Sequence, residues 1–161
     1  MRLLSLMAIL AFGIDQISKW LVVHVANLKT IGAIDVLPPL LNFRMGWNTG
    51  INFGLFGNSP EAVRYVLIAL AVVVSVGLFL WAMRDQRRQT TQVGAGLIIG
   101  GALANALDRV IYGAVADFLN MSCCGISNPF TFNLADVAIF AGAFLLIVFD
   151  DNKSDDPTRI G

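Results

Sequence analysis

The sequence predicts an all-α integral membrane protein with four transmembrane helices and a small β-rich cap between the first and second helix. The chain has 161 residues, of which 57% are hydrophobic and only 14% are charged. Soluble domains average about 45–50% apolar and about 25% charged residues, so a mean hydropathy of +0.72 indicates a lipid environment. The formal net charge is zero, which excludes the cationic surface that nucleic-acid binding requires. We therefore treat residues 1–161 as a single membrane-embedded domain.

Four apolar stretches approach the length of about 20 residues that a helix needs to cross the hydrocarbon core. The first carries Asp15 and Lys19 and is followed by no small-residue cleavage motif, so we interpret it as a retained span and not as a cleaved signal peptide. The segment between the first two spans is rich in Gly, Asn and Pro, and short strands are plausible within it. The predicted spans cover residues 3–25, 63–83, 93–112 and 130–149, and the predicted cap covers residues 26–62.

Arginines in one short loop determine the predicted orientation. Arg84, Arg87 and Arg88 lie between the second and third spans, and Lys and Arg in short loops are enriched on the cytoplasmic side. With four spans, both termini then lie in the cytoplasm. The cap and residues 113–129 consequently face outward.

Polar residues of three predicted spans lie at similar depths. With a rise of about 1.5 Å per residue, Asp15 lies roughly 18 Å from the inner end of its span, and Asn105 reaches about the same height. Asn133 and Asp136 begin the fourth span from the outer side, and Asp117 follows the outer end of the third. Ionisable residues inside a span are costly and mark functional sites. We therefore expect one polar site near the outer surface.

The spacing of the charged residues separates structural from functional candidates. Asp15 and Lys19 are four residues apart on one helix face, and Asp108 is adjacent to Arg109, so both combinations are candidate ion pairs. Asp117 and Asp136 have no basic partner at such a spacing. Two close carboxylates share a proton, so one can activate water while the other donates a proton, which is aspartic-protease chemistry.

Other functions remain open from the residues alone. Intramembrane carboxylates also occur in transporters of cations or protons, although the inner half of the bundle has few polar residues and no inverted repeat is visible. A purely structural subunit would leave the unpaired acids without a role. The adjacent Cys123 and Cys124 and the single His24 do not form a metal set, so we expect no metal, no cofactor and no disulfide between the cysteines.

Five short motifs follow one another along the chain, at residues 15–19 (DQISK), 48–54 (NTGINFG), 100–109 (GGALANALDR), 115–118 (VADF) and 132–136 (FNLAD). In this order they resemble the motifs of bacterial lipoprotein signal peptidases, also called signal peptidase II, an aspartyl peptidase family. The second motif departs from the usual family pattern at Ile51 and Asn52, which could alter how this loop covers a substrate.

The resemblance implies an endopeptidase of the bacterial inner membrane with its site near the periplasmic face. Such enzymes remove the signal peptide from prolipoproteins, cleaving just before a Cys that carries a diacylglyceryl group. The implied partners are lipidated prolipoproteins, membrane phospholipid and globomycin-type inhibitors. Carried over by motif, Asp117 and Asp136 are the catalytic pair. Residues that would support the site or contact substrate are Asp15, Lys19, Asn48, Gly101, Asn105, Arg109, Asn133 and Ala135.

The arginine-rich loop yields a testable topology. We expect a reporter fused at Gln86 to give a cytoplasmic signal and one fused at Asn58 to give a periplasmic signal, because basic residues in short loops are retained inside. Paired reporters that are active on opposite sides of the membrane make the measurement. The reverse pattern would put Asp117 and Asp136 on the cytoplasmic side and contradict the predicted orientation.

Overall fold

A computed structural model of the protein describes residues 2–50, 60–83, 89–125 and 128–149, and it is mostly helical. The loop that carries Arg84, Arg87 and Arg88 lies outside these residues, as does most of the C-terminal part of the predicted cap, residues 51–59. A π-helical turn, Trp20–Val25, continues the first helix directly. The helices are α1 (Arg2–Lys19), α2 (Leu28–Ile31), α3 (Pro60–Met83), α4 (Gln89–Tyr112) and α5 (Leu134–Phe149). The strands are β1 (Ala33–Leu37), β2 (Leu41–Asn48) and, after α4, β3 (Val115–Asn120).

Among the described residues, three helices are long and apolar enough to cross a membrane, namely Arg2–Val25, Glu61–Met83 and Gln89–Tyr112. They correspond to the first three predicted spans. The fourth apolar helix, α5, has only 16 described residues, so a fourth crossing stays a prediction. Large apolar side chains such as Val73 and Phe140 project outward from the bundle, as expected for helices in contact with lipid.

Helix α4 is the centre of the bundle because two adjacent stripes of small residues let its neighbours approach closely. Gly96 and Gly100 lie against α1, where an added Cβ at Gly100 would collide with the carbonyl oxygen of Ala8. Gly101 lies against α5, where an added Cβ would be 2.5 Å from the carbonyl oxygen of Ala135. Such close backbone approaches are typical of helix packing inside membranes, and they bring polar residues of α1 and α5 to the same end of α4.

The three strands form an antiparallel sheet in the order β1–β2–β3. It lies at one end of the bundle, which we call the sheet end, where α1 and α4 end and α5 begins. Strand β2 pairs with β3 so that Gly46 lies opposite Asp117. The predicted cap covers only residues 26–62, whereas the third strand of the sheet comes from residues 115–120 after α4. A six-residue strand without alternating polarity carries no distinct local signal.

Helix α5 begins four residues later than predicted, at Leu134 instead of residue 130. The backbone N–H and carbonyl of Phe132 both form hydrogen bonds with the backbone of Leu119 in β3. Asn133 then caps the helix, since its side-chain oxygen accepts a hydrogen bond from the backbone N–H of Asp136. Apolar composition alone could not distinguish this short extended segment from the helix that follows it.

The loop after β3 contains a disulfide that the sequence analysis did not expect. Cys123 and Cys124 are bonded to each other. Cys124 has a φ of 60° and Gly125 a φ of 81°, so the chain turns sharply at this point. The turn brings the neighbouring sulfur atoms together, and the expectation of unbridged cysteines is wrong.

Because α4 packs closely against α1, replacing a glycine by alanine should have different effects at Gly100 and at Gly77. Gly100→Ala should lower the stability by about 1–3 kcal/mol, because the new methyl group would collide with Ala8 and lie 2.9 Å from the Cβ of Ala11. Gly77→Ala is the matched control, since a Cβ there meets no atom within 4 Å. Thermal unfolding in detergent measures both variants. Equal midpoints for the two would contradict the close approach of α4 to α1.

Candidate active site

The structure brings the predicted site residues together at the sheet end, in one connected network. Helix α1 contributes Asp15 and Lys19, and the end of β2 contributes Asn48. Strand β3 carries Asp117 at the position opposite Gly46. The remaining residues come from α4 and from the beginning of α5, and they are Gly101, Asn105, Arg109, Asn133, Ala135 and Asp136.

Asp117 is a buried carboxylate held by two asparagine amides. Its Oδ2 accepts a hydrogen bond of 3.0 Å from Asn48, and its Oδ1 accepts one of 2.6 Å from the Asn133 side chain. Burial raises the pKa of Asp117 to about 6, against the lowering effect of the Asn48 hydrogen bond, and the charge of Asp136 raises it further. A carboxyl group with this pKa can exchange a proton near neutral pH.

Asp136 is held at the first turn of α5. Its Oδ2 accepts a hydrogen bond of 3.2 Å from the backbone N–H of Asn133, while Asn133 caps the helix in return. This reciprocal arrangement is a capping box, which fixes the side-chain direction of Asp136. The other oxygen, Oδ1, accepts a hydrogen bond of 2.9 Å from the Asn105 amide. Unlike Asp117, Asp136 is only partly buried.

Asn133 links the two carboxylates directly. Its side-chain amide donates to Asp117, and its backbone N–H donates to Asp136. The same amide also donates to the Asn105 side-chain oxygen at 3.1 Å. Since Asn105 donates to Asp136 in turn, Asn133, Asn105 and Asp136 form a closed ring of hydrogen bonds, and Asp117 is joined to it through Asn133. This network fixes the two carboxylates relative to each other, although they come from different elements.

A buried ion cluster is connected to this network through Asn105. The Lys19 ammonium lies 2.7 Å from Asp15 Oδ2 and 2.7 Å from Asp108 Oδ2, and it also donates to Asn105 at 3.3 Å. The predicted Asp15–Lys19 pair is therefore confirmed. The predicted Asp108–Arg109 pair is wrong, because consecutive helix residues point in different directions and Asp108 faces α1.

The two acids of this cluster each hold the backbone just before a site aspartate. Asp15 Oδ1 accepts a hydrogen bond of 2.8 Å from the N–H of Ala135, the residue before Asp136. Asp108 Oδ2 accepts one of 3.1 Å from the N–H of Ala116, the residue before Asp117. This places Ala135 in the site through its backbone and gives Asp108 a role that the sequence analysis missed.

Helical spacing could have identified Asp108, as well as Gln16, which was also missed. Asp108 follows Gly100 and Ala104 at four-residue intervals, and this row of α4 lies against α1. Gln16 extends from α1 to that face and donates to Asp108 Oδ1 at 2.9 Å and to the carbonyl of Ala104 at 3.3 Å. The neighbouring stripe of Gly101, Asn105 and Arg109 is turned toward α5 and the aspartates instead.

Arg109 lies near the aspartates without forming an ion pair in the described part of the chain. Its Nη1 donates to the backbone carbonyl of Asn105 at 3.2 Å, and it is close enough to interact with the charges of both Asp117 and Asp136. Its Nε is buried and has no hydrogen-bond partner among the described residues. The guanidinium thus contributes positive charge next to two acids.

Two cavities of different character open beside the aspartates. A polar cavity of about 290 Å³ is lined by Gly46, Trp47, Asn48, Asp117, Pro129, Phe130 and Thr131. An apolar cavity of about 720 Å³ along α5 is lined by Phe132, Asp136, Val137, Phe140, Ala141 and Phe144. Each aspartate therefore borders one cavity. Within the described ranges, no group of three or more His, Cys, Asp or Glu is arranged to hold a metal ion.

Comparisons with known proteins agree with this fold and with the sequence motifs. The family profile described as Signal peptidase (SPase) II matches residues 7–150. A lipoprotein signal peptidase of Rhodopseudomonas palustris is 39% identical over 149 residues, which cover 91% of this chain and 90% of the relative. One of Coxiella burnetii is 38% identical over 144 residues, which cover 89% of this chain and 86% of the relative.

Two solved structures of bacterial membrane enzymes have the same fold. One is 26% identical, with a TM-score of 0.77 and coverage of 92% of each chain. The other is 24% identical, with a TM-score of 0.74 and coverage of 97% of this chain and 93% of the other. The chain belongs to the signal peptidase II family, and it is an integral membrane peptidase.

The raised pKa of Asp117 predicts a stability that depends on pH. The folded protein holds a proton on Asp117 below about pH 6, whereas the unfolded chain holds it only below about pH 3.9. Protonation of Asp117 therefore increases the free energy of unfolding as the pH falls through the pKa of the folded state. The increase is complete below the pKa of the unfolded state. Compared with Asp117→Asn, the wild-type protein should gain stability between pH 7 and pH 4, by at most about 3 kcal/mol.

Thermal midpoints of both proteins in detergent across this pH range provide the measurement. Because the other carboxyl groups are common to both proteins, the difference between their thermal midpoints reports the contribution of Asp117. A difference that stays constant from pH 7 to pH 4 would contradict the raised pKa.

Proposed function

We propose that this chain is an aspartic endopeptidase that removes signal peptides from diacylglyceryl-modified prolipoproteins, with Asp117 and Asp136 as its catalytic pair. The observation that carries the proposal is that Asn133 donates hydrogen bonds to both carboxylates at once, from its side chain to Asp117 and from its backbone to Asp136. Two acids that share a partner in this way are close enough for the charge of one to raise the pKa of the other, and the pKa of Asp117 is about 6. Aspartic proteolysis requires this state, one acid ionised and one protonated.

The cavities support a substrate that is apolar on one side of the scissile bond and polar on the other. Asp136 borders the apolar cavity along α5, and Asp117 borders the polar cavity under the sheet. A lipoprotein precursor changes character at its cleavage site, from an apolar signal segment to a polar mature chain. In our proposal the signal helix and the lipid chains lie along the bundle among membrane phospholipid, and the scissile bond lies between Asp117 and Asp136.

The reaction then needs only water and the two acids. The ionised aspartate takes a proton from water while the water oxygen attacks the scissile carbonyl carbon. The protonated aspartate stabilises the developing oxyanion by a hydrogen bond. As the C–N bond breaks, a proton passes from a carboxyl group to the departing amine, and the pair returns to its single shared proton. Arg109, placed near both acids, limits the electrostatic cost of keeping one of them ionised.

The other predicted site residues would hold the two aspartates and their helices in place. Asn48 and Asn133 hold Asp117, Asn105 holds Asp136, and Gly101 allows α5 to approach α4. Asp15 and Lys19 anchor the backbone before Asp136. The basic loop between the second and third spans favours an inner-membrane orientation with cytoplasmic termini, in which the sheet end and the site face the periplasm. Globomycin-type inhibitors are expected to compete for this site.

Conservative replacement of either acid tests the proposed pair. Asp117→Asn and Asp136→Asn should each reduce cleavage by about three orders of magnitude or more, because an amide keeps the size of the side chain but cannot exchange the proton. Asp35→Asn is the matched control, since Asp35 lies exposed on β1. The assay is cleavage of a lipidated prolipoprotein by equal amounts of purified protein, with and without globomycin.

Thermal unfolding of each variant, measured in parallel, separates loss of chemistry from loss of fold. We expect both site variants to remain folded. Turnover by Asp117→Asn or Asp136→Asn close to that of the Asp35→Asn control would contradict the two-aspartate assignment.

A further inference from the structure

A second polar cavity adjoins the one that contains Asp117. It has a volume of about 520 Å³ and lies between β2, the end of β3 and the segment that leads into α5. Gly46, Pro129 and Thr131 line both cavities, so the two are neighbours along β2. The other residues that line the second cavity are Arg44, Met45, Asn120, Ser122 and Asn128.

Hydrogen bonds give this cavity a defined wall. The Asn120 amide donates to the backbone carbonyls of Asn128 and Phe130, both at 2.8 Å. The backbone N–H of Asn128 donates to the Ser122 hydroxyl at 3.0 Å. These bonds tie the segment before α5 to the end of β3. Gly46 also belongs to this wall and packs closely against it, because a Cβ at this position would collide with the Thr131 hydroxyl.

Arg44 is a cation without a counterion at the border of this cavity. Its side chain is exposed, and no acidic group among the described residues lies within ion-pair distance of it. Along β2 it lies two residues from Gly46, which is opposite Asp117 in the sheet. The pairing has a bulge here, since Phe43 lies opposite Leu119 and Gly46 opposite Asp117. Arg44 therefore lies within the two-residue interval of β3 from Leu119 to Asp117, less than about 7 Å along the strand from the level of Asp117. An extended peptide covers the same distance in two residues.

We propose that this cavity binds the first residues of the mature lipoprotein, downstream of the scissile bond, in an extended conformation. Arg44 would then lie beside the second or third residue after the lipidated Cys and select an acidic side chain there. Charge complementarity favours this occupant, since a guanidinium binds carboxylates by charge-assisted hydrogen bonds. The inference rests on the proposed function, which supplies the position of the scissile bond.

Three lipidated precursor peptides test this selection. They differ only at the second and third residues after the lipidated Cys, which are Asp-Asp, Asn-Asn or Lys-Lys. The wild-type protein should cleave them in that order of kcat/KM, with steps of about two- to five-fold, the range of a partly exposed ion pair. Arg44→Gln should remove most of the difference, and Arg44→Glu should reverse the order.

Lys29→Glu is the matched control because it makes the same change of charge at an exposed position of α2 that lines neither cavity. It should keep the wild-type order. An unchanged order in Arg44→Glu, with normal cleavage of the Asn-Asn peptide, would overturn this inference and leave the proposed function intact. An equal fall for all three peptides would indicate a contact with phospholipid headgroups and would also overturn it. If the wild-type protein cleaved none of them, the proposed function would fail, and this inference with it.

Discussion

The ammonium group of Lys19 is buried between the carboxylates of Asp15 and Asp108, and this interaction supports the backbone next to both site aspartates. Asp15 and Lys19 belong to α1, whereas Asp108 belongs to α4, so the cluster joins the two helices at the sheet end. Each carboxylate also accepts a backbone N–H, from Ala135 and Ala116 respectively. Because Asp136 and Asp117 follow these alanines directly, the positions of both site aspartates depend on one buried cation.

The cluster is better understood as a device for positioning than as a source of stability. Taking two carboxylates and an ammonium group out of water is costly, and their mutual attraction often does little more than offset that cost. Removal of one partner from a buried ion pair, however, typically destabilises a protein by about 3–5 kcal/mol. Asp15 and Asp108 are completely buried, so the strand β3 and the start of α5 cannot shift without breaking hydrogen bonds in an apolar environment. A rigid support of this kind fits the proposed active site, whose two acids come from different elements.

Hydropathy was sufficient to predict the three long helices, and the depth of the polar residues was sufficient to predict that these residues meet at one end of the bundle. The family motifs identified the residues that the structure then brings together. Contacts between distant parts of the chain were not predictable in this way. Strand β3 forms through its pairing with β2, and α5 begins four residues later than predicted because Phe132 pairs with Leu119. Asp108 was assigned to its neighbour Arg109, although its partner, Lys19, lies on another helix.

In the proposed reaction, water activated by Asp117 and Asp136 attacks the scissile bond without a covalent enzyme intermediate. A single turnover in ¹⁸O-labelled water, with the protein in excess over a lipidated precursor, distinguishes this route from covalent catalysis. We expect one ¹⁸O atom in the new carboxyl terminus of the released signal peptide and none in the side chains of Asp117 and Asp136. Label in either aspartate side chain, detected by mass spectrometry of the digested protein, would show that the carboxylate itself attacks the substrate and would rule out direct attack by water.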